Sequence, residues 1–178
     1  MGIKTIELSI FVLCSLAIVF LSRNSLRERH SYGYYRFFAF EFILLLIISN
    51  LRWWFDNPFS LIQILSWLTL LVSLFLVAGG FRSLGFSNAA SVETRDATDL
   101  VENGIYAYIR HPLYSSLFFL ALGAFLKKPC LFGGILLFGA SFSLVATARA
   151  EEDVNVRKFG DNYLEYMART KMFIPFLY

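Results

Sequence analysis

Charged and polar residues divide the chain into five apolar runs of unequal length. They extend from Ile6 to Leu21, Phe37 to Ile48, Leu61 to Ala78, Leu113 to Leu126 and Leu131 to Ala148, and the third and fifth hold no charged residue. A helix needs roughly 20 apolar residues to cross a bilayer. The first, third and fifth runs approach that length. The second reaches it if the aromatic "WWF" at 53–55 extends it to the interface, where tryptophan is favoured. The fourth is short, and "KKP" at 127–129 separates it from the fifth. These two runs predict a helical hairpin whose tip stays near the interface. The expected architecture is all-α and polytopic, with about five transmembrane helices in a single membrane domain over 1–178. Three helices occupy 6–78, a connection 79–112, the hairpin 113–148, and a helical tail 149–178. Glu7 sits early and no small-residue cleavage site precedes "SRNSLRERH", so the first run reads as a helix rather than a cleaved leader.

Composition agrees with this pattern. Hydrophobic residues make up 57% of the 178, charged residues 16%, and mean hydropathy is +0.60, well outside the range of ordinary soluble domains. The net charge of +3 sits at segment ends and reads as topology, not nucleic-acid binding. Arg23, Arg27, Arg29 and Arg36 fall between the first two runs, and Arg149, Arg157, Lys158, Arg169 and Lys171 lie in the tail. Both groups are expected on the cytoplasmic side, with the N-terminus outside; Lys127 and Lys128 are the exception, at the hairpin tip. Cys14 and Cys130 lie in apolar runs and are expected as small buried residues. No CxxC or His/Cys cluster points to a metal.

In the tail, "EEDVNVRKFGDNYLEYM" carries a rough helical stripe of Val154, Val156, Phe159, Tyr163, Tyr166 and Met167, broken at Gly160. It predicts an amphipathic helix pair against the membrane face.

The densest chemistry is in "GIYAYIRHPLY" at 104–114. Pro112 suits the first turn of the fourth helix, where its missing N–H costs nothing. The free N–H groups and positive dipole of that helix start favour an anion beside Arg110 and His111. Interfacial anchoring by arginine and tyrosine explains the same residues equally well in isolation. The acidic pair Glu151–Glu152 follows the fifth run, and alone it reads as a solvated helix segment. A hairpin over 113–148 returns the chain to the same face, however. It predicts Glu151 and Glu152 near His111 and Tyr114, in a pocket with a cationic side, an acidic side and several rings.

The order "LVENGIYAYIRHPLY", hairpin, "EE", "FGDNYLEYMARTKMFIP" resembles the isoprenylcysteine carboxyl methyltransferase family, which is grouped with phospholipid methyltransferases. The resemblance covers roughly the last 80 residues; the first 80 share only hydropathy with it. It implies an integral-membrane methyltransferase that uses S-adenosyl-L-methionine on a lipophilic acceptor, without a Rossmann domain, and no G-x-G-x-x-G fingerprint is present. By motif match it implies a cofactor set of Thr98, Asp99, Leu100, Val101, Tyr106, His111, Pro112, Leu113, Tyr114 and Glu151. Such a cofactor calls for acceptors at Glu151, donors at the helix start from His111 to Tyr114, and rings near adenine and sulfonium.

The sequence departs from the family pattern at three positions. Ser116 replaces a frequent glycine, and Met172 replaces a second tail arginine. Thr147 stands four residues before Glu151, where the isoprenylcysteine enzymes carry an arginine associated with the substrate. Arg149 and Arg169 are the candidates to replace it. The acceptor is therefore expected to be a prenylated cysteine carboxylate, a phospholipid amine or a small thiol. A carboxylate acceptor needs no base, whereas an amine must first lose a proton, with His111 and Glu152 as candidate bases. Membrane lipids are the expected surroundings; neither nucleic acid nor metal is an expected partner. Two rival readings remain. Sterol reductases share an RHP block, although "RHPLYSS" lacks their asparagine and glutamate, and a membrane scaffold would bind no cofactor.

Overall fold

The computed structural model describes residues 2–28, 31–85 and 100–174, with side chains from Thr5 onward. Its helices are α1 (Gly2–Arg27), α2 (Tyr32–Ser49), α3 (Leu61–Leu84), α4 (Pro112–Leu126), α5 (Leu131–Phe159) and α6 (Asp161–Arg169). Short 3-10 turns lie at Leu51–Trp53 and Gly104–Ala107. Among the described residues there is no β-strand, only a single parallel bridge between Ile109 and Lys171. Four helices, α1, α2, α3 and α5, are long and apolar enough to cross a membrane. The chain is an all-α polytopic membrane protein.

Local sequence explains where the helices begin. Ser31 caps α2 by accepting from the Tyr34 N–H at 3.2 Å, and Ser60 caps α3 by accepting from Gln63 at 3.4 Å. Each satisfies one of the N–H groups a helix start leaves unpaired. Pro112 opens α4 at its first position.

The spanning helices pack in two pairs, α3 along α4 and α2 along α5, while α4 touches its hairpin partner α5 less than it touches α3. Ile43 and Leu46 of α2, Ala121 and Ala124 of α4, and Leu136 and Ala140 of α5 form the buried core. In lipid, close approach of small residues and interhelical hydrogen bonds replace the hydrophobic drive. Ser66 and Ser73 of α3 accordingly donate to the carbonyls of Gly123 and Ser116 on α4, each at 2.7 Å. The outermost helix, α1, packs on α2, where Ser15 donates to both carboxylate oxygens of Glu41 at 2.9 and 3.0 Å.

The structure corrects three expectations. First, the aromatic "WWF" does not prolong the second span. Its helix ends at Ser49, and the Asn50 amide donates to the Ala124 carbonyl at 3.1 Å. Trp54 and Trp67 then close around Lys127 at the hairpin tip. Second, the tail breaks at Gly160 as expected, but its first helix is continuous with the fifth span. Nothing from Ala148 to Phe159 interrupts a helix, so α5 runs 29 residues, about 44 Å at 1.5 Å per residue, against a hydrocarbon core of about 30 Å. Its last turns, from Arg149 on, project beyond the span until Gly160, at φ 57°, ends the helix. Third, Cys14 and Cys130 are exposed, not buried. Cys14 lies on the outer helix α1, and Cys130 caps α5 through its sulfur, 3.4 Å from the Gly133 N–H.

The hairpin tip is itself well defined. At 15 residues, α4 covers about 22 Å, too short to cross alone. Lys127, just past its end, is buried.

Candidate active site

The site is built where the projecting turns of α5 meet the chain entering α4. Gly104 begins this segment at φ 59°, a left-handed conformation that glycine adopts without strain. Any β-carbon there would collide with the Ser83 hydroxyl. That hydroxyl accepts from the Ile105 N–H at 3.2 Å and donates to the Gly79 carbonyl at 2.9 Å. The turn carrying Tyr106 is thereby fixed to the end of α3.

His111 is buried between the two acids that α5 supplies. Its Nδ1 lies 3.7 Å from Glu151 Oε2 and its Nε2 3.2 Å from Glu152 Oε1. Tyr114, one turn into α4, stacks on the imidazole with ring centroids 5.4 Å apart, and its hydroxyl faces Glu151 and Arg36. The sequence predicted this meeting of His111, Tyr114 and the acidic pair from the hairpin alone.

Glu152 belongs to a closed ion-pair network. Arg110 Nε donates to its Oε1 at 2.6 Å, and both side chains are less than a tenth exposed. Burial pushes the Glu152 carboxyl up, but hydrogen bonds from His111 and Arg110, together with their charges, outweigh it and hold the carboxyl below its ordinary value. Arg110 also donates through Nη1 to the carbonyls of Thr170 at 2.6 Å and Met167 at 3.2 Å. One guanidinium therefore ties the RHP turn, α5 and the residues after α6 together.

Those residues form a strap. Arg110 N–H donates to the Lys171 carbonyl at 2.8 Å, His111 N–H to Met172 at 3.1 Å, and Lys171 N–H to Tyr108 at 3.1 Å. Ser115 donates its hydroxyl to the Phe173 carbonyl at 2.7 Å. The His111 N–H, expected as a free anion donor at the helix start, is thus committed to the strap.

Between these parts lies a cavity of about 300 Å³. Of the motif-matched residues, Leu100, Val101, Tyr106, His111, Leu113, Tyr114 and Glu151 all line it. Pro112 is buried at the α4 start. Thr98 and Asp99 fall outside the described residues. Glu152 sits behind the lining, against Arg110 and His111. Arg149 is exposed on α5 and away from the lining. Arg169 is also exposed; it pairs with Glu102 and lies over the Tyr166 ring. Thr147 is fully buried and donates to the Ser143 carbonyl at 2.7 Å, so its position offers no cation.

Sequence reasoning missed several lining residues. Tyr32 and Arg36 reach in from α2, and Asn155, Tyr163 and Tyr166 from α5 and α6. Tyr163 and Tyr166 were legible as one helical stripe, but that stripe faces the cavity. The Tyr166 hydroxyl donates to the Tyr106 carbonyl at 2.8 Å. Burial raises the phenols: Tyr163 to about 12, and Tyr106 and Tyr166 well above the ordinary tyrosine value. They remain neutral and line the cavity with aromatic rings.

The donor set suits S-adenosylmethionine in kind. Glu151 is an anionic acceptor with 30% of its side chain exposed, matched to hydroxyl or ammonium groups, and the neutral rings suit a sulfonium. Among the described residues, no group of three His, Cys, Asp or Glu side chains is placed to hold a metal.

The phospholipid methyltransferase family model matches residues 61–162, more than half of the chain and most of the segment that builds this site. Protein-S-isoprenylcysteine O-methyltransferase of Xenopus laevis is 33% identical over 96 residues, covering 52% of this chain and 32% of the relative. The Homo sapiens protein of that name is 30% identical over 100 residues, covering 52% and 33%. The chain thus spans about a third of the length of the curated relatives it matches.

Proposed function

The chain belongs to the phospholipid methyltransferase family, and from that premise we propose that it is an integral-membrane, S-adenosylmethionine-dependent methyltransferase acting on a lipophilic acceptor of the isoprenylcysteine carboxylate kind. The observation that carries this reading is the cavity in which Glu151, His111, Tyr106 and Tyr114 converge. Bound there, S-adenosylmethionine would supply an activated methyl group on its sulfonium.

The protein's part is to bind, orient and keep water away. Glu151 holds the hydroxyl or ammonium groups of the cofactor. Tyr106, Tyr163 and Tyr166 offer ring faces to positive charge. Glu152, held as a carboxylate by Arg110 and His111, orients the imidazole rather than reacting. A carboxylate acceptor then needs no proton removed, and a dry cavity favours a step in which opposite charges disappear.

A second reading, N-methylation of a phospholipid amine, draws support from His111. Its Nε2 stands 3.2 Å from the Glu152 carboxylate, an arrangement that would hold it as a base. A small thiol is the third acceptor class.

Two measurements test the proposal. Protein in detergent should bind S-adenosylhomocysteine in a calorimeter; a scaffold would not. A radiolabelled methyl-transfer assay over a farnesylcysteine analogue, phosphatidylethanolamine and an alkyl thiol should show activity on the first. Binding without transfer to any of the three would leave the cofactor assignment standing and overturn the acceptor. The site is assigned to the cytoplasmic face, from the positive charges flanking it. In a C14S/C130S background, Asn24→Cys and Asn162→Cys should resist an impermeant thiol reagent in intact cells, and strong labelling of either would reverse the orientation.

A further inference from the structure

The family arginine is missing at Thr147, and neither Arg149 nor Arg169 reaches the cavity. Two guanidinium groups line it among the described residues, Arg110 and Arg36. Arg110 is committed to Glu152 and to two carbonyls. Arg36 is not: it forms no ion pair among the described residues. It stands one turn into α2, half-buried, with its guanidinium 5.8 Å from the centroid of the Tyr32 ring. It meets the same Tyr114 hydroxyl that Glu151 meets.

An anion and a cation therefore share one phenol hydroxyl, and among the described residues the cation is paired with no carboxylate. A half-buried guanidinium offers five donors in a planar fork that matches a carboxylate, and an anion removed from water must be paired. Tyr32 beneath it restricts the fork, which lowers the entropy lost on binding. The region matched by the family begins at residue 61, so α2 contributes this group from outside it.

We propose that Arg36 is the carboxylate-binding residue of the cavity, taking over from a different helix the role left open at Thr147. The inference rests on the methyltransferase reading. Two carboxylates are candidates, that of an acidic lipophilic acceptor and that of the cofactor's amino-acid end.

Paired probes separate them: N-acetyl-S-farnesylcysteine against its carboxamide, and S-adenosylhomocysteine against its decarboxylated form. Each is titrated into wild type, Arg36→Met and Arg36→Lys in detergent. If Arg36 holds the acceptor, Arg36→Met weakens the farnesylcysteine acid by roughly 10- to 150-fold, leaves its amide unchanged, and Arg36→Lys recovers part of the loss. If it holds the cofactor, that pattern moves to the adenosyl pair. Equal affinity of Arg36→Met and wild type for both acids overturns the proposal. So does parallel loss of acid and neutral forms, which would make Arg36 structural. Failure of wild type to bind either adenosyl compound removes the methyl-donor reading, yet the farnesyl pair still tests Arg36 by binding alone. Wild type that binds neither pair overturns both.

Discussion

The two ends of the bundle use the same ingredients, cations, rings and buried polar groups, to opposite effect. At the hairpin tip, the Lys127 ammonium lies 3.6 Å from the Trp67 ring centroid and donates to Gln63 Oε1 at 3.2 Å. Gln63 in turn donates to the carbonyls of Lys127 and Trp53. Lys127 and Gln63 are both buried and answer each other, although the Trp54 Nε1 beside them is buried without a hydrogen-bond partner. At the other end, Arg110 and Glu152 close a comparable network, but one layer in front of it Glu151, Tyr106, Tyr114 and Arg36 face a cavity. A locally satisfied cluster anchors a fold; a cluster with spare hydrogen-bonding capacity is available to a ligand.

The largest way to break this contrast is at Arg110. Arg110→Met strands a buried carboxylate and frees the strap, and removing one partner of such a pair costs about 3–5 kcal/mol. Thermal unfolding in detergent should show the loss, with cofactor binding abolished alongside it. Unchanged stability would mean that His111 alone satisfies Glu152.

Glu151→Gln tests the open layer without touching the closed one. A charge-assisted hydrogen bond contributes about 1.5–3 kcal/mol, so S-adenosylhomocysteine affinity should fall roughly 10- to 150-fold at nearly unchanged stability. Glu28→Gln should have no effect on binding, and equal affinity in Glu151→Gln would remove that residue from the site.

Lys127→Met should do the reverse. It leaves Gln63 Oε1 unanswered, at a cost of about 1–3 kcal/mol in stability, while affinity for S-adenosylhomocysteine stays as in wild type. Lost affinity at constant stability would show that the two ends are coupled.

The smallest effect is in pH. The folded Glu152 carboxyl lies below the ordinary glutamate value of 4.5. Its contribution is therefore fully present above that value and lost as pH falls through the lower folded one. Attachment of the strap, followed by protease protection after Met167, should weaken only in that acid window. In Glu152→Gln the acid-specific weakening should disappear; its persistence would point to another carboxylate.

Much of this was legible in the sequence because run length and hydropathy dictate spanning helices. Pro112 marked a helix start, and the hairpin length required Glu151 and Glu152 to return to His111. What escaped depends on side chains meeting across distant segments. Arg36 looked like a topology charge, because nothing in "YGYYRFF" reveals which helix it will face. Arg110 was seen as a neighbour of His111, not as the residue that fastens the strap. Tyr163 and Tyr166 formed a stripe whose period fixes a face but not what covers it. The cysteines misled for a related reason: an apolar run in a membrane protein turns one side toward lipid, so an apolar neighbourhood in sequence does not mean burial in protein.

The strap also gives the protein a schedule. Thr170 to Phe173 follow the four described spanning helices in sequence, and they hold the backbone of Tyr108, Arg110 and His111. The ribosome delivers residues at about 5–20 per second, so Lys171 is synthesised roughly 3–12 seconds after the Arg110 it fastens. Until then Arg110 lacks the Met167 and Thr170 carbonyls that it bonds in the folded protein.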